Sequence, residues 1–123
     1  MIGIGTDIVE IRRIGEAVDK LGERFVKRIL IAEELKYFKS SKYPIRYLAK
    51  RFAAKEAASK SLGTGISGGV SFQDFFVDNN DLGKPTIELM GKALEIAKEQ
   101  KFKDMVLSLS DEREYVVAFA VLY

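Results

Sequence analysis

Residues 51–65 read RFAAKEAASKSLGTG, and this stretch decides how the rest of the chain is laid out. Counting back from Glu56, the positions three, four, seven and eight residues earlier are Ala53, Phe52, Ala49 and Leu48. That is the spacing of one apolar helix stripe facing a core. Glu56 and then Lys60 continue it. Pro44 suits the first turn of this helix, where its missing N–H has no partner to lose, and the helix runs to about Leu62, with Gly63 and Gly65 beyond it. A carboxylate forced into a packed stripe is destabilising by several kcal/mol unless it is paired or holds a metal. An exposed Glu-Lys pair at this spacing gains only about 0.3 to 0.5 kcal/mol. Two readings stay open: the stripe has reached the protein's edge as a surface ion pair, or the pair is there for phosphate chemistry.

Upstream, the chain opens MIGIGTDIVEI. Ile2, Ile4, Thr6 and Ile8 alternate with Gly3, Gly5, Asp7 and Val9, the period of a β-strand. Asp is a poor strand former, so Asp7 is either an edge charge or bulge or a functional acid. The glycines two and four residues before it leave room on its face for a ligand or another backbone. Ile14, Val18 and Leu21 then predict a short amphipathic helix ended by Gly22, with another turn or two carrying Phe25, Ile29 and Leu30. A third short helix follows, with Glu33 and Glu34 in its first turn and Leu35 and Phe38 on its buried face.

Downstream, GTGISGG is a glycine-rich connection to VSF and DFFVD, two short strand candidates. NNDLGKP reads as a turn, Pro85 to Leu89 as a strand, and MGKALEIAKEQK as a helix with Leu94 and Ala97 inward. The end is a hairpin: Met105, Leu107 and Leu109 alternate with Val106, Ser108 and Ser110, DERE turns the chain, and YVVAFAVLY is apolar on both faces and hence a central strand. Strands bracketing clustered helices predict an α+β fold with a mostly antiparallel sheet packed on the long helix and shorter ones. At 123 residues this is one domain, residues 1–123.

Composition narrows the chemistry. There is no cysteine and no histidine, which excludes a disulfide framework, a thiolate nucleophile, a zinc-thiolate site and a Ser-His-Asp triad. Carboxylates, lysines and hydroxyls remain, and oxygen ligands favour Mg²⁺, Ca²⁺ or Mn²⁺ over soft metals. No run approaches the roughly 18 apolar residues of a membrane span, nor does the chain open on a signal region, so the expected location is the cytoplasm. The net charge of +2 is too small to argue for nucleic acid. It is uneven, however. Between Arg12 and Arg28, six basic residues face three acids, as a solvated helix face or a docking surface for an acidic partner.

GIGTDIVEI, RFAAKEAASKSLGTG, FQDFFV followed by GKP, and SLSD occur in that order along essentially the whole chain. Together they resemble the short, single-domain holo-acyl-carrier-protein synthase class of 4′-phosphopantetheinyl transferases. The resemblance implies Mg²⁺-dependent transfer of the phosphopantetheine arm of coenzyme A to a serine of apo-acyl-carrier protein. It implies Asp7 and Glu56 as metal ligands and catalytic groups, with Lys60 beside the same phosphates. Arg51, Lys60, Gly63, Gly65, Lys84, Pro85 and Asp111 match positions near coenzyme A, the glycine N–H groups being able to cradle a phosphate. Arg13, Arg24, Phe25 and Arg28 match the carrier-protein docking region. Family members are homotrimers with active sites between subunits. Lys55, about 100° around the helix from Glu56, has a structural role as readily as a phosphate or subunit contact.

One position departs from the pattern. Family members commonly end their penultimate strand in Ser-x-Ser-His, and here it is Ser108-Leu109-Ser110-Asp111. An anion replaces an imidazole, and Asp111 is expected either to join the metal's water shell or to turn toward Arg113. Two further readings follow: a coenzyme A or nucleotide binder with weakened or lost transfer, and a non-catalytic module that docks an acidic protein.

Overall fold

The computed structural model describes residues 1–123. Its elements run β1 (Gly3–Glu10), α1 (Ile11–Leu21), α2 (Glu23–Ile29), α3 (Ala32–Ser40), α4 (Pro44–Ser61), a 3-10 turn (Phe72–Asp74), β2 (Phe75–Asn79), β3 (Pro85–Leu89), α5 (Gly91–Glu99), β4 (Met105–Asp111) and β5 (Tyr115–Leu122). All pairing is antiparallel, in a three-stranded sheet of order β1-β5-β4 and a separate β2-β3 hairpin. The fold is α+β. Of the two strands expected between residues 70 and 78, only Phe75–Asn79 forms. VSF instead leads into the 3-10 turn, because Ser71 Oγ accepts from the Gln73 amide and closes the backbone. No helix is long and apolar enough to cross a membrane.

Helix α4 is the axis of the structure. Leu48, Ala49, Ala53, Ala54, Ala57 and Ala58 are fully buried, and the inward face of β5, Val116, Ala118, Ala120 and Leu122, is buried too. Small residues on both sides let sheet and helix approach closely. The approach is tightest at β1, where a Cβ on Gly3 would lie 2.1 Å from the Ser61 carbonyl oxygen and one on Gly5 would lie 2.1 Å from that of Ala57. The glycines of the opening strand therefore make room for another backbone, that of α4, and not for a ligand.

The face of β1 left open by the sequence is resolved, and one burial expectation, in α3, is revised. The face of β1 that carries Ile4 and Ile8 points to solvent, with Ile8 65% exposed, alongside Val117 and Phe119 of β5 and Val106 of β4. In α3 the buried residue is Glu34, while Leu35 and Phe38 are only partly covered. Glu34 accepts from the Ile31 amide and from Lys55 Nζ at 2.6 Å through Oε1, and from the Val77 amide through Oε2. Lys55 donates further to the Ile29 carbonyl at 2.7 Å. The pair is fully buried and fully hydrogen-bonded, so it ties α3, β2 and the end of α2 to α4. In α5, Ala93 and Ala97 face inward, and Leu94 lies at the edge.

Candidate active site

Asp7 projects from β1 toward α4 because its strand lies on that helix. Its neighbour in register is Ala118 of the central strand, which offers only a methyl group beside it. The Lys60 ammonium donates to Asp7 Oδ1 at 3.2 Å and to the Thr6 carbonyl at 3.0 Å. Asp7 Oδ2 is buried and has no hydrogen-bond partner. A buried carboxylate oxygen without a donor is costly, so this oxygen is suited to receive a cation or a proton.

Glu56, one turn before Lys60, lines the same cavity of about 460 Å³ as Asp7, together with Arg13, Phe25 and Phe52. Burial pushes the Asp7 carboxyl above its ordinary range, against the opposing hydrogen bond and charge of Lys60. Burial and then the Asp7 charge push Glu56 up as well, with Lys60 and Arg28 opposing. Burial thus raises the proton affinity of both acids, and the Asp7 charge adds to that of Glu56, around one unsatisfied oxygen. No cluster of three or more Asp, Glu, His or Cys side chains exists in the fold, but a hard cation that takes one or two carboxylates and fills its shell with phosphate oxygens and water fits this pair.

Of the basic stretch, Arg13 lines that cavity together with Phe25. Arg13, Arg24 and Arg28 are exposed and Phe25 half-buried. Phe25, Phe52 and Phe72 form a chain of rings with centroids 6.5 and 5.4 Å apart, and the Arg28 guanidinium lies 5.9 Å over Phe72. Arginines flanking an aromatic strip form a surface able to take an acidic, partly apolar helix.

The other predicted residues lie elsewhere. Arg51, Gly83, Pro85 and Asp111 line a second cleft of about 610 Å³ with Arg46, Tyr47 and Lys50. Ten residues of helix, about 15 Å along its axis, separate Arg46 from Glu56. Arg51 is 5% exposed, sits 4.6 Å over the Tyr47 ring, donates to Asn79 Oδ1, and has an unpartnered Nε. Asp111 turns neither to the acid pair nor to the Arg113 side chain. Its Oδ2 accepts from Arg46 at 2.7 Å and its Oδ1 lies 3.5 Å from Lys50 Nζ. Arg113 contributes only its carbonyl, to the same Arg46.

Three expected contributors do not face either cavity. The Gly63 amide donates to the Lys60 carbonyl and the Gly65 amide to that of Ser59, so these N–H groups close the C-terminus of α4, whose last carbonyls lack partners. Both glycines hold positive φ, +85° and +63°, as such a closure requires. Lys84 is exposed and its amide completes the turn through Asn80 Oδ1. Sequence reasoning passed over Arg46 and Lys50, although they are spaced i, i+4 on α4 beside Tyr47 and Arg51, a legible cationic and aromatic face.

Paired acids beside an ammonium, with a cationic cleft on the same helix, are the equipment of a phosphate-handling enzyme. The family model described as 4′-phosphopantetheinyl transferase superfamily matches residues 3–120, and the chain belongs to that superfamily. It is 51% identical over 122 residues to the holo-[acyl-carrier-protein] synthase of Vibrio cholerae, covering 99% of this chain and 97% of that one. The crystal structure of the synthase from Neisseria meningitidis superposes with a TM-score of 0.92 at 48% identity, covering 100% of this chain and 99% of that one. The Helicobacter pylori synthase in complex with coenzyme A superposes at 0.83 with 31% identity over 100% of both chains.

Proposed function

We propose that this protein, acting as one catalytic domain, transfers the 4′-phosphopantetheine arm of coenzyme A to a serine of apo-acyl-carrier protein. The product nucleotide is adenosine 3′,5′-bisphosphate. The observation that carries the reading is the unsatisfied Oδ2 of Asp7 beside Glu56 and Lys60. The names of the full-length relatives support it. Asp7 and Glu56 hold Mg²⁺ in this reading, and the ion supplies charge neutralisation of the pyrophosphate.

The chain's own groups do the rest. The serine oxygen forms a bond to the phosphorus that carries pantetheine, and the bond from that phosphorus to the bridging pyrophosphate oxygen breaks. Glu56, whose carboxylate holds a proton more tightly than usual, is suited to receive the serine proton. Lys60 leaves Asp7 for the phosphates and neutralises the departing oxygen. Arg13, Arg24 and Arg28 pair with the acidic carrier protein, and Phe25 fills an apolar groove on it.

The acid pair and the cationic cleft are separated in one chain, and the outer sheet face leaves Ile4, Ile8, Val117 and Phe119 exposed. A homotrimer that buries this face and joins one subunit's acid pair to the next subunit's cleft satisfies both facts. The Asp111 carboxylate lies in the cationic cleft, so within a chain it adds no charge to the acid pair, and lost transfer is not favoured. Both substrates travel in water, and we assign the reaction to the cytoplasm. The test is direct: incubation with coenzyme A, Mg²⁺ and an apo-carrier protein gives the carrier the added mass of the arm. Failure to gain that mass rejects the proposal.

A further inference from the structure

Three cations line the 610 Å³ cleft: Arg46, Lys50 and Arg51. They are not equivalent. Arg51 has no carboxylate within ion-pair distance, while Arg46 and Lys50 are already engaged by the two oxygens of Asp111. Asp111 is not needed to hold Arg46 in place, because its guanidinium also donates to the Glu112 carbonyl at 2.6 Å and the Arg113 carbonyl at 3.1 Å. Removing the carboxylate charge leaves Arg46 anchored by two backbone acceptors and still aimed into the cleft. The carboxylate therefore contributes charge more than geometry, and its oxygens lie where an incoming phosphate would meet the same two cations.

We propose that Asp111 is a built-in competitor for phosphate: it occupies Arg46 and Lys50 in the resting cleft and sets how tightly the nucleotide is held. This rests on the reading of the cleft as the nucleotide's seat. A phosphate settles first against Arg51, which has no carboxylate partner and an unpartnered Nε, and contends with Asp111 for the other two. The chain thus holds its nucleotide more loosely than its three cations would allow, which speeds release of adenosine 3′,5′-bisphosphate and keeps the product from blocking the next coenzyme A. The residue that breaks the family's Ser-x-Ser-His pattern becomes one that tunes affinity.

Calorimetric titration of the full chain with adenosine 3′,5′-bisphosphate tests this in a cycle of wild type, Asp111→Asn, Arg46→Gln and the double variant. Asp111→Asn is expected to bind about tenfold tighter, the scale of removing one negative charge a few ångströms from a phosphate in a half-wet cleft. Arg46→Gln is expected to weaken wild type less than about threefold and Asp111→Asn about tenfold, because only the second background leaves Arg46 free. Asp111→Ser, which keeps a small polar group, should follow Asp111→Asn. Equal or weaker binding in both Asp111 variants, or an Arg46→Gln loss that is the same in both backgrounds, overturns the inference while leaving the cleft as the nucleotide's seat. No measurable binding by any of the four rejects the seat itself and the competitor with it.

Discussion

Helix α4 carries two lysine-carboxylate pairs five residues apart, and they are opposites. Lys55 and Glu34 are fully buried, and every oxygen of the carboxylate has a donor. Lys60 and Asp7 lie at a cavity wall, with the ammonium half exposed and one carboxylate oxygen without any partner. The first pair is complete in itself and can only hold the fold. The second is incomplete and open to a ligand. Satisfaction of the oxygens and burial, not charge type, separate the structural pair from the chemical one.

The comparison breaks most visibly at the buried pair. Lys55→Ala leaves the Glu34 carboxylate without its cation in a dry site, and the expected loss is about 3 to 5 kcal/mol of stability, read from the denaturant midpoint. Lys55→Met combined with Glu34→Gln should recover much of it. A loss below about 1 kcal/mol would mean that the pair is no more than a surface contact in energy.

At the open pair the effect moves from stability to turnover. Asp7→Asn and Glu56→Gln are each expected to lower kcat/KM at least about a hundredfold, while thermal melts without metal hold or rise. The sign follows from the proton affinities. Both carboxyls bind protons more tightly in the folded state than at their ordinary values of 3.8 and 4.5. Their cost to stability is therefore absent below those values and grows as pH rises through the raised ones. Each neutral variant should flatten that decline in a series of denaturation midpoints against pH. A steeper decline in either one contradicts the burial that raises both carboxyls.

A smaller effect sharpens the contrast along the basic stretch. Arg13→Glu and Arg24→Glu should raise the KM for carrier protein about tenfold and that for coenzyme A less than twofold. Added salt should imitate them in the wild type, since exposed charges are screened within about 10 Å at 0.1 M. The smallest change is expected at Lys84→Ala, whose side chain faces neither cavity and whose loss should leave both KM values within about a factor of two.

How much of this was legible depended on whether a residue's role is set locally. The stripe Leu48, Ala49, Phe52, Ala53 placed α4 and predicted that Glu56 and Lys60 would share a face, because helix spacing is local. The alternation of β1 put Asp7 on one side with the glycines. Which side faced inward was not legible, since the isoleucine face, the more apolar of the two, is the outer one. Glu34 looked like a first-turn acid because its partner, Lys55, is 21 residues away. Gly63 and Gly65 offered N–H groups that the sequence could not show to be claimed by α4's own carbonyls. Asp111 was recognisable as a departure, but its partners Arg46 and Lys50 come from a helix more than sixty residues earlier.

The pairing of β1 with β5 also fixes when the protein can begin to work. Asp7 leaves the ribosome roughly a hundred residues before Ala118, the neighbour that holds its strand in the sheet. Closing so long a loop is slow and comes late. Until the final strand is delivered, the opening segment has no sheet to join, and its carboxylate has no fixed distance from Glu56. A nascent chain still in synthesis therefore cannot capture coenzyme A at a half-built site, and activity switches on only once the last β-strand has docked.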